Sequence, residues 1–291
     1  MQLMTVAQAR SLGMSEWTIA HGTMRAPHRG VRSDRPAPTD VAGRCRELLP
    51  LLPPGAMFCR ATALDLFGIE HPRGLRRPKE LHVQVPRSVA RPRRVGVVPH
   101  TRLGPPATLR TVGGCPVSSP EDTWIDLAGE LDPIELTVLG DSLLRRRQPV
   151  SKLALLQAAV DQVAPGTRGI RRLREALDAV RPGTDSCQES RLRLLLIATG
   201  MPMPEVNRPI LVGGRFLAMP DLSYPGLRIA IEYDGEVHRT DRRTWSRDIQ
   251  RRRALEAHGW VMVTWTAADL RNPTSALRHL RTQIARRSVS F

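Results

Sequence analysis

The sequence predicts an α+β protein, in which helical and strand-like hydrophobic patterns alternate along 291 residues. Apolar residues recur at helical spacing in segments such as 186–199, whereas residues 227–233 alternate as in a half-buried strand. Hydrophobic residues make up 41% of the chain, enough for a sizeable core. Breaks at the proline-rich residues 34–40 and at Pro182-Gly183 divide the chain into regions 1–33, 41–182 and 184–291. We expect the last region to be a mixed β-sheet flanked by helices.

The N-terminal region contains two short helical patterns followed by a basic segment. Apolar residues fall at helical spacing up to Gly13, and Ser15 can cap a second helix over residues 16–25. The basic residues 28–32 then suggest a β wing, so the outline is that of a winged helix whose second helix would enter a major groove. A helical hairpin that only packs on the next region explains the same pattern. The residues expected to contact nucleic acid are Arg25, Arg29 and Arg32.

The middle region mixes α and β patterns. Arginines crowd residues 73–94, where the periodicity is poor, and this stretch fits either a solvated loop or a surface that contacts phosphates. The predicted elements are helices over residues 41–49, 60–67, 136–144, 151–163 and 168–180, strands over 81–86 and 95–100, and a loop over 116–120 that opens a helix at Ser118 or Ser119.

The C-terminal region begins with a helix that has a clear start signal. Ser186 can act as its N-cap, and Glu189 stands three positions later, which is the capping-box spacing. The predicted elements are helix 186–199, a hairpin of residues 210–212 and 216–219 across Gly213-Gly214, a strand that leads into the turn Pro225-Gly226, strand 227–233, helix 240–258, strand 260–266 and helix 275–287.

Acidic side chains of this region are expected to converge. Side chains in a strand alternate, so Glu232 and Asp234 share one face, and the turn before their strand folds Asp221 back beside Glu232. Glu189 lies at the head of an apolar helical stripe and points toward whatever that helix packs on. Grouped carboxylates repel one another unless a hard divalent cation lies between them. The sequence therefore predicts a cation site at this hairpin.

The composition points to a polyanionic partner. Lys plus Arg number 44 against 28 Asp plus Glu, which gives a formal net charge of +16. A field of this size attracts nucleic acid, so DNA is the expected partner. An arginine-rich proteome would bias the composition in the same direction, since Lys79 and Lys152 are the only lysines.

The cysteines and the hydropathy suggest where the protein works. The four cysteines lack CxxC spacing, which supports neither a zinc module nor a disulfide framework and favours a reducing cytoplasm. No apolar run approaches the length of a membrane span, so we expect no membrane association. The oligomeric state does not follow from the sequence.

Five separated segments of the C-terminal region match a known pattern in order. They are Glu189 within ESRLRLLL, Pro220-Asp221, IEYDGEVH, Asp248 with Arg251 and Arg252, and GWVMVTWT. Residues 184–287 thereby resemble the very-short-patch repair endonuclease-like proteins of the PD-(D/E)xK nuclease superfamily, with its restriction-endonuclease-like sheet. The resemblance implies hydrolysis of phosphodiester bonds in DNA, with Mg²⁺ or Mn²⁺ held by Asp221, Glu232 and Glu189.

One position departs from the superfamily pattern. Asp234 stands where these nucleases usually carry a lysine that orients or deprotonates the attacking water. His238 is the expected substitute base, because imidazole titrates near neutral pH. Arg252 would stabilise the pentavalent phosphate or pair with Asp248. The arginines of the same helix that are expected to contact DNA are Arg247 and Arg251.

A second resemblance concerns the N-terminal region. Its layout of helix, Gly, helix and Arg-Gly-Val-Arg resembles the N-terminal domain of the abortive-infection antitoxin family of type IV toxin–antitoxin systems, where Tyr usually replaces Arg32. The main expectation is a metal-dependent DNA endonuclease in repair or in defence against phages and plasmids. The alternative is a DNA-binding regulator with an inactive nuclease-like scaffold and a toxin or other defence-system protein as partner. A nuclease or toxin directed at RNA is a third alternative.

Overall fold

The computed structural model describes residues 3–75, 79–102, 108–235 and 242–288, with only the backbone of residues 242–249. It has the mixed α/β architecture that the sequence predicts. The chain divides into two compact units. Unit one comprises Met1–Leu131 and Gln157–Leu173, and unit two comprises Asp132–Leu156 and Arg174–Phe291. Among the described helices, none is both long and apolar enough to cross a membrane.

Unit one begins with two short helices framed by two strands that pair antiparallel with each other. Thr5 and Ser15 cap the helices, because their side chains accept hydrogen bonds from the backbone N–H groups of Gln8 and Thr18. The second of these caps is the one that the sequence predicts. The elements are β1 (Leu3–Thr5), α1 (Val6–Ser11), α2 (Glu16–His21) and β2 (Val31–Ser33).

Helix α2 is shorter than predicted. It ends at His21, because Gly22 adopts an extended conformation with ψ of 174° and leaves the helical path. The backbone then turns, so that Arg25 exchanges backbone hydrogen bonds with Ser33 beside β2. Arg25 therefore lies outside the helix on which the sequence places it.

A mixed sheet forms the centre of unit one in the part of the chain that the structure describes. In order across the sheet its strands are β5 (Val97–Thr101), β4 (Leu81–Val85), β3 (Met57–Phe58), β7 (Cys115–Ser118) and β6 (Leu109–Val112). β4 pairs in parallel with β5, and β3 with β7, whereas the remaining neighbours are antiparallel. The helices that follow or precede these strands are α3 (Val41–Leu48), α4 (Arg60–Phe67) and α5 (Pro120–Leu127).

The two faces of this sheet differ in polarity. Leu81, Val83 and Val85 of β4 are buried in the hydrophobic cluster of unit one. Side chains alternate along a strand, so His82 and Gln84 lie on the other face. This second face therefore carries polar side chains.

One predicted loop is a strand. Residues 116–120 are expected to form a loop, but Pro116 and Val117 belong to β7. Proline has no N–H group to donate to the hydrogen bonds between strands, so its presence argues against a strand. Pro116 nevertheless lies in β7, opposite Thr111 of β6. The predicted helix start is confirmed, since Ser119 accepts a hydrogen bond from the N–H of Asp122 at 3.1 Å.

Unit two contains a second mixed sheet, a separate hairpin and several helices. Its sheet, in order, consists of β13 (Val261–Thr266), β12 (Ile229–Asp234), β11 (Leu222–Tyr224) and β8 (Glu205–Val206), and only β12 with β13 is parallel. The hairpin of β9 (Ile210–Val212) and β10 (Arg215–Ala218) agrees with the predicted one. The helices are α6 (Pro133–Leu143), α9 (Cys187–Ala198), α10 (Arg242–Ala257), α11 (Ala267–Arg271) and α12 (Thr274–Ser288). The chain passes between the units after Leu131, within α7 (Leu153–Asp161) and within α8 (Ile170–Ala179).

Two buried ion pairs join α6 to α9. Arg191 donates through Nε and Nη2 to the two carboxylate oxygens of Glu135, each at 2.7 Å. Arg193 Nη2 lies 2.8 Å from Asp141 Oδ2, and both side chains are 0% exposed. A buried charge is tolerated only with a close partner, so these pairs fix how the two helices pack. The sequence patterns predict neither pair.

Candidate functional site

The predicted acid cluster lies on the β11–β12 hairpin of unit two. The strands pair antiparallel, with Leu222 opposite Ile231. Asp221 directly precedes β11, and its Oδ2 accepts a hydrogen bond from the backbone N–H of Tyr233 at 2.7 Å. The hairpin therefore folds Asp221 back beside Glu232, as the alternation and the turn predict.

Glu189 lies in the first turn of α9 and forms hydrogen bonds with the residues that precede this helix. Its side chain is buried, and its carboxylate accepts hydrogen bonds from Ser186 Oγ, the N–H of Asp185 and Asn207 Nδ2, each at 2.9 Å. The N–H of Asn207 in turn donates to the carbonyl of Asp221 at 2.9 Å. Asn207 thus connects the helix start to the hairpin.

Sequence reasoning misses Asn207, although one signal was available. Its φ is +44°, a left-handed conformation that Asn tolerates better than most residues. An Asn-Arg pair just before a proline, between extended segments, is a place where such a turn is expected.

The cluster makes Asp221 a group that changes charge near neutral pH. Burial raises the pKa of Asp221 to about 7, and the neighbouring carboxylates of Glu189 and Glu232 act in the same direction. The hydrogen bond from the N–H of Tyr233 and the charge of Arg251 oppose this rise. Arg251 Nη2 lies 2.8 Å from Glu232 Oε2, so a guanidinium supplies positive charge to the cluster.

Two further predicted catalytic residues lie on β12 and α10. Asp234 ends β12, half-buried, in register with Thr266 of β13. Arg252 is exposed, and its Nη2 donates to Thr264 Oγ1 at 3.1 Å, whereas Arg251 is the residue that contacts an acid of the cluster. His238 and the side chains of Arg247 and Asp248 lie outside the part of the chain that the structure describes, so their predicted roles stay predictions.

Two of the three basic residues predicted at the N-terminal surface are engaged within the chain. Arg25 pairs with Glu47, and its guanidinium also donates to backbone carbonyls of residues 35 and 36. Arg32 donates to the carbonyl of Ile19 at 2.6 Å and to that of Val31 at 3.0 Å. Arg29 is exposed. The first two arginines therefore support the fold of this segment, and Arg29 is the one that faces solvent.

The exposed side of α2 carries an aromatic residue that the sequence analysis does not single out. Trp17 is 70% exposed, and its ring centroid lies 5.6 Å from that of His21. Ile19 is buried. Residues two positions apart in a helix point to different sides, so a buried Ile19 implies an outward Trp17. This spacing is the sequence signal that was available.

The described side chains offer few groupings of metal-binding donors. Within residues 3–75, 79–102, 108–235 and 250–288, no group of three or more His, Cys, Asp or Glu side chains could hold a metal ion. Two of the predicted ligands are already engaged, because Glu189 accepts three hydrogen bonds and Glu232 pairs with Arg251. The described donors alone do not fit a metal ion.

One family model matches a range that covers most of unit one and the first part of unit two. Residues 56–179 match the family model of the AbiEi antitoxin C-terminal domain. This match supports the predicted resemblance to an abortive-infection antitoxin family, although the residues that carry the prediction precede the matched range. The resemblance of the C-terminal region to PD-(D/E)xK nucleases stays a prediction.

Two curated mycobacterial proteins are similar over most of the chain. The uncharacterized proteins MT2308 of Mycobacterium tuberculosis strain CDC 1551 / Oshkosh and Rv2248 of strain ATCC 25618 / H37Rv are each 30% identical over 247 residues, covering 83% of this chain and 87% of theirs. The crystal structure of the RV2827C protein from Mycobacterium tuberculosis covers 73% of this chain and 84% of its own, with a TM-score of 0.43 and 13% identity.

Proposed function

The chain belongs to the protein family of the mycobacterial proteins MT2308 and Rv2248, and we propose that it is a DNA-binding regulator of the antitoxin kind. The observation that carries the proposal is the match of residues 56–179 to the AbiEi antitoxin C-terminal domain. The net charge of +16 supports a nucleic-acid partner. A toxin or another defence-system protein would be its protein partner.

Helix α2 offers the residues that we expect to contact DNA. Trp17 and His21 are exposed on one side of α2, and Arg29 is exposed before β2. An apolar ring can pack on a thymine methyl group, and an arginine can bind a backbone phosphate. Trp17 and His21 join the predicted Arg29, whereas Arg25 and Arg32 are engaged within the chain.

The test is selection of DNA from a random duplex pool, followed by fluorescence anisotropy with the selected sequence. We expect Trp17→Ala to weaken binding about tenfold, the loss of one good base contact. Val95→Ala is the matched control, because Val95 is 98% exposed in the same unit and lies outside α2. Far-UV circular dichroism checks that both variants fold. Enrichment of no sequence, or equal affinities of Trp17→Ala and wild type, would contradict the proposal.

One observation favours a second candidate, a DNA endonuclease with its site at the β11–β12 hairpin. The pKa of Asp221 is raised to about 7 by burial and by two neighbouring carboxylates, an arrangement that is common at catalytic sites. The described donors do not by themselves fit a metal ion, and His238 lies outside the described residues. Cleavage with Mg²⁺ or Mn²⁺ therefore has to be tested directly.

Incubation with supercoiled plasmid separates the two candidates. An endonuclease would nick the plasmid in the presence of Mg²⁺ or Mn²⁺, and Asp221→Asn would abolish nicking while keeping the shape of the side chain. Asp178→Asn is the control, because it removes the same charge from an exposed position. Intact plasmid with both metals would leave the regulator as the function.

A further inference from the structure

The β9–β10 hairpin of unit two presents a pair of apolar side chains to solvent. Leu211 and Phe216 are partners in the antiparallel register, so their side chains lie next to each other on one face. Phe216 is 66% exposed and Leu211 is 59% exposed. The solvent-facing side of an antiparallel ribbon is normally polar. An aromatic and an aliphatic side chain together on this side therefore indicate a surface that contacts another molecule.

The opposite face attaches the hairpin to unit two. Ile210 is 6% exposed and Ala218 is 1% exposed, and both pack in a hydrophobic cluster with residues of β12 and α10. The turn is Gly213-Gly214, with φ values of +55° and +78°, which suit the tight two-residue turns of twisted hairpins. The attached face and the short turn hold the apolar pair in a fixed position.

An irregularity in β10 turns Phe216 outward. Side chains alternate along a strand, so Phe216 and Ala218 would lie on the same face of a regular strand. Their partners, Leu211 and Ile210, are adjacent residues and lie on opposite faces. The register shifts between Phe216 and Ala218, and this shift allows Ala218 to face the core while Phe216 faces solvent. Bulges that redirect a side chain in this way are concentrated next to functional sites.

The charge of the hairpin indicates the class of its partner. Residues 207–220 include two arginines and no acid. Arg208 is paired with Glu205 through two contacts of 2.8 Å. Arg215, at the start of β10, is exposed and forms no hydrogen bond or ion pair within the described part of the chain. This cation would attract a polyanion, whereas a second copy of the chain would bring a like charge to the same surface.

We propose that the β9–β10 hairpin binds duplex DNA, with Phe216 and Leu211 as an apolar wedge between two base pairs and Arg215 as a contact to phosphate. DNA combines a charged backbone with an apolar base stack. Proteins insert side chains such as Phe and Leu between base steps, and arginines bind the nearby phosphates. This second contact rests on the proposed function, because DNA is its ligand. It lies in unit two, whereas α2 lies in unit one.

The experiment compares a fully paired DNA duplex with one that carries a single-nucleotide bulge. Both have an arbitrary fixed sequence, with 2-aminopurine beside the bulge position. Base stacking is already interrupted at the bulge, so a wedge inserts there at a lower cost in free energy. We expect the full-length wild-type chain to bind the bulged duplex about tenfold more tightly than the paired one. It should also raise the fluorescence of 2-aminopurine, which reports unstacking.

Three variants separate the wedge from the phosphate contact. Phe216→Ala should lose the preference for the bulged duplex and the rise in fluorescence. Arg215→Gln should bind both duplexes more weakly and keep the preference, because a phosphate contact does not depend on stacking. Ile134→Ala is the matched control and should change neither result, since Ile134 is 55% exposed in the same unit and lies outside the hairpin. Far-UV circular dichroism checks that the variants fold.

Equal preferences of wild type and Phe216→Ala for the bulged duplex would overturn the proposed wedge, and so would the absence of a preference in wild type. If Trp17→Ala still weakens binding to a selected sequence, the proposed function stands without the wedge. Sedimentation that shows dimers of wild type but monomers of Phe216→Ala would assign the apolar pair to a contact between copies and would also overturn the wedge. Both duplexes have arbitrary sequences, so the result does not depend on the enrichment of a specific sequence.

Discussion

Arg193 shows how strongly one side chain can depend on a single partner. It is fully buried in unit two, and Nη2 donates to Asp141 Oδ2. Its Nε and Nη1 have no hydrogen-bond partner among the described residues. Burial raises the pKa of Asp141, but the charge of Arg193 and the N–H of Arg181 oppose this rise. Asp141 is therefore the group that makes the buried guanidinium tolerable.

Removal of that partner should be costly. We expect Asp141→Ala to lower the free energy of unfolding by about 3–5 kcal/mol, because it leaves a buried charge without compensation. Urea denaturation followed by circular dichroism measures the change. Glu205→Ala is the control, because it breaks a surface ion pair. The side chain of Glu205 is 38% exposed and that of its partner Arg208 is 65% exposed, so the loss of this pair should cost about 0–1 kcal/mol. Similar losses in both variants would contradict the prediction.

Asp221 should make stability depend on pH. In an unfolded chain an Asp has a pKa of about 3.9, whereas burial and neighbouring acids raise the pKa of folded Asp221 to about 7. The folded protein then binds the proton more tightly. The contribution of this group to stability is therefore fully present below the unfolded pKa and is lost as the pH rises through the folded pKa.

Asp221→Asn removes this dependence because an Asn side chain does not ionise, and its oxygen still accepts the hydrogen bond from the N–H of Tyr233. We expect the free energy of unfolding of the variant, relative to wild type, to increase as the pH rises from about 4 to 7. Urea denaturation at both ends of this window measures the difference. A difference that stays constant across the window would show that Asp221 does not titrate there.

At the scale of elements, Gly169 sets how closely the segment before α8 approaches the end of α5. A Cβ at Gly169 would lie 2.5 Å from the backbone C and O of Ala128, and its φ is +88°. Gly166 has a similar φ of +81°, yet a Cβ there would meet nothing within 4 Å. The two glycines therefore separate backbone strain from steric contact.

The pair gives a matched prediction. Gly166→Ala should destabilise unit one by about 1–2 kcal/mol, the cost of a left-handed residue with a Cβ. Gly169→Ala should cost clearly more, because the added methyl group also displaces backbone atoms. Thermal denaturation of both variants measures this difference. Equal melting temperatures of the two variants would show that the close contact between Gly169 and Ala128 does not affect stability.

Elements with local start signals are those that the sequence predicts best. Ser15, Ser119 and Ser186 each cap a helix at the expected place. The acid hairpin was also predictable, because alternation and a turn are local patterns. Missed features depend on distant partners. The Arg191–Glu135 contact joins residues 56 positions apart, and β7, which contains Pro116, pairs in parallel with the distant strand β3.

At the scale of the whole molecule, the net charge of +16 should make DNA binding depend on salt. The logarithm of the affinity falls with the logarithm of the salt concentration, with a slope of about −0.9 for each phosphate contact. Arg29→Gln removes one exposed cation, so we expect the plot of log affinity against log salt concentration to be less steep by the amount due to one phosphate contact. Anisotropy at several salt concentrations measures it.

Arg25→Gln is the comparison for this prediction. Its guanidinium is paired with Glu47, so the substitution should lower stability and leave the slope unchanged. A weaker salt dependence in Arg25→Gln, but not in Arg29→Gln, would show that Arg25 and not Arg29 contacts DNA.

The ion pairs between α6 and α9 also affect how the chain is made on the ribosome. Asp141 emerges 52 residues before Arg193, the residue that compensates its charge. At about 5–20 residues per second, this interval lasts roughly 3–10 s. During that time α6 has two acids without their native partners and must stay hydrated. The nascent chain therefore cannot complete unit two until α9 has been translated, which delays its packing until late in synthesis.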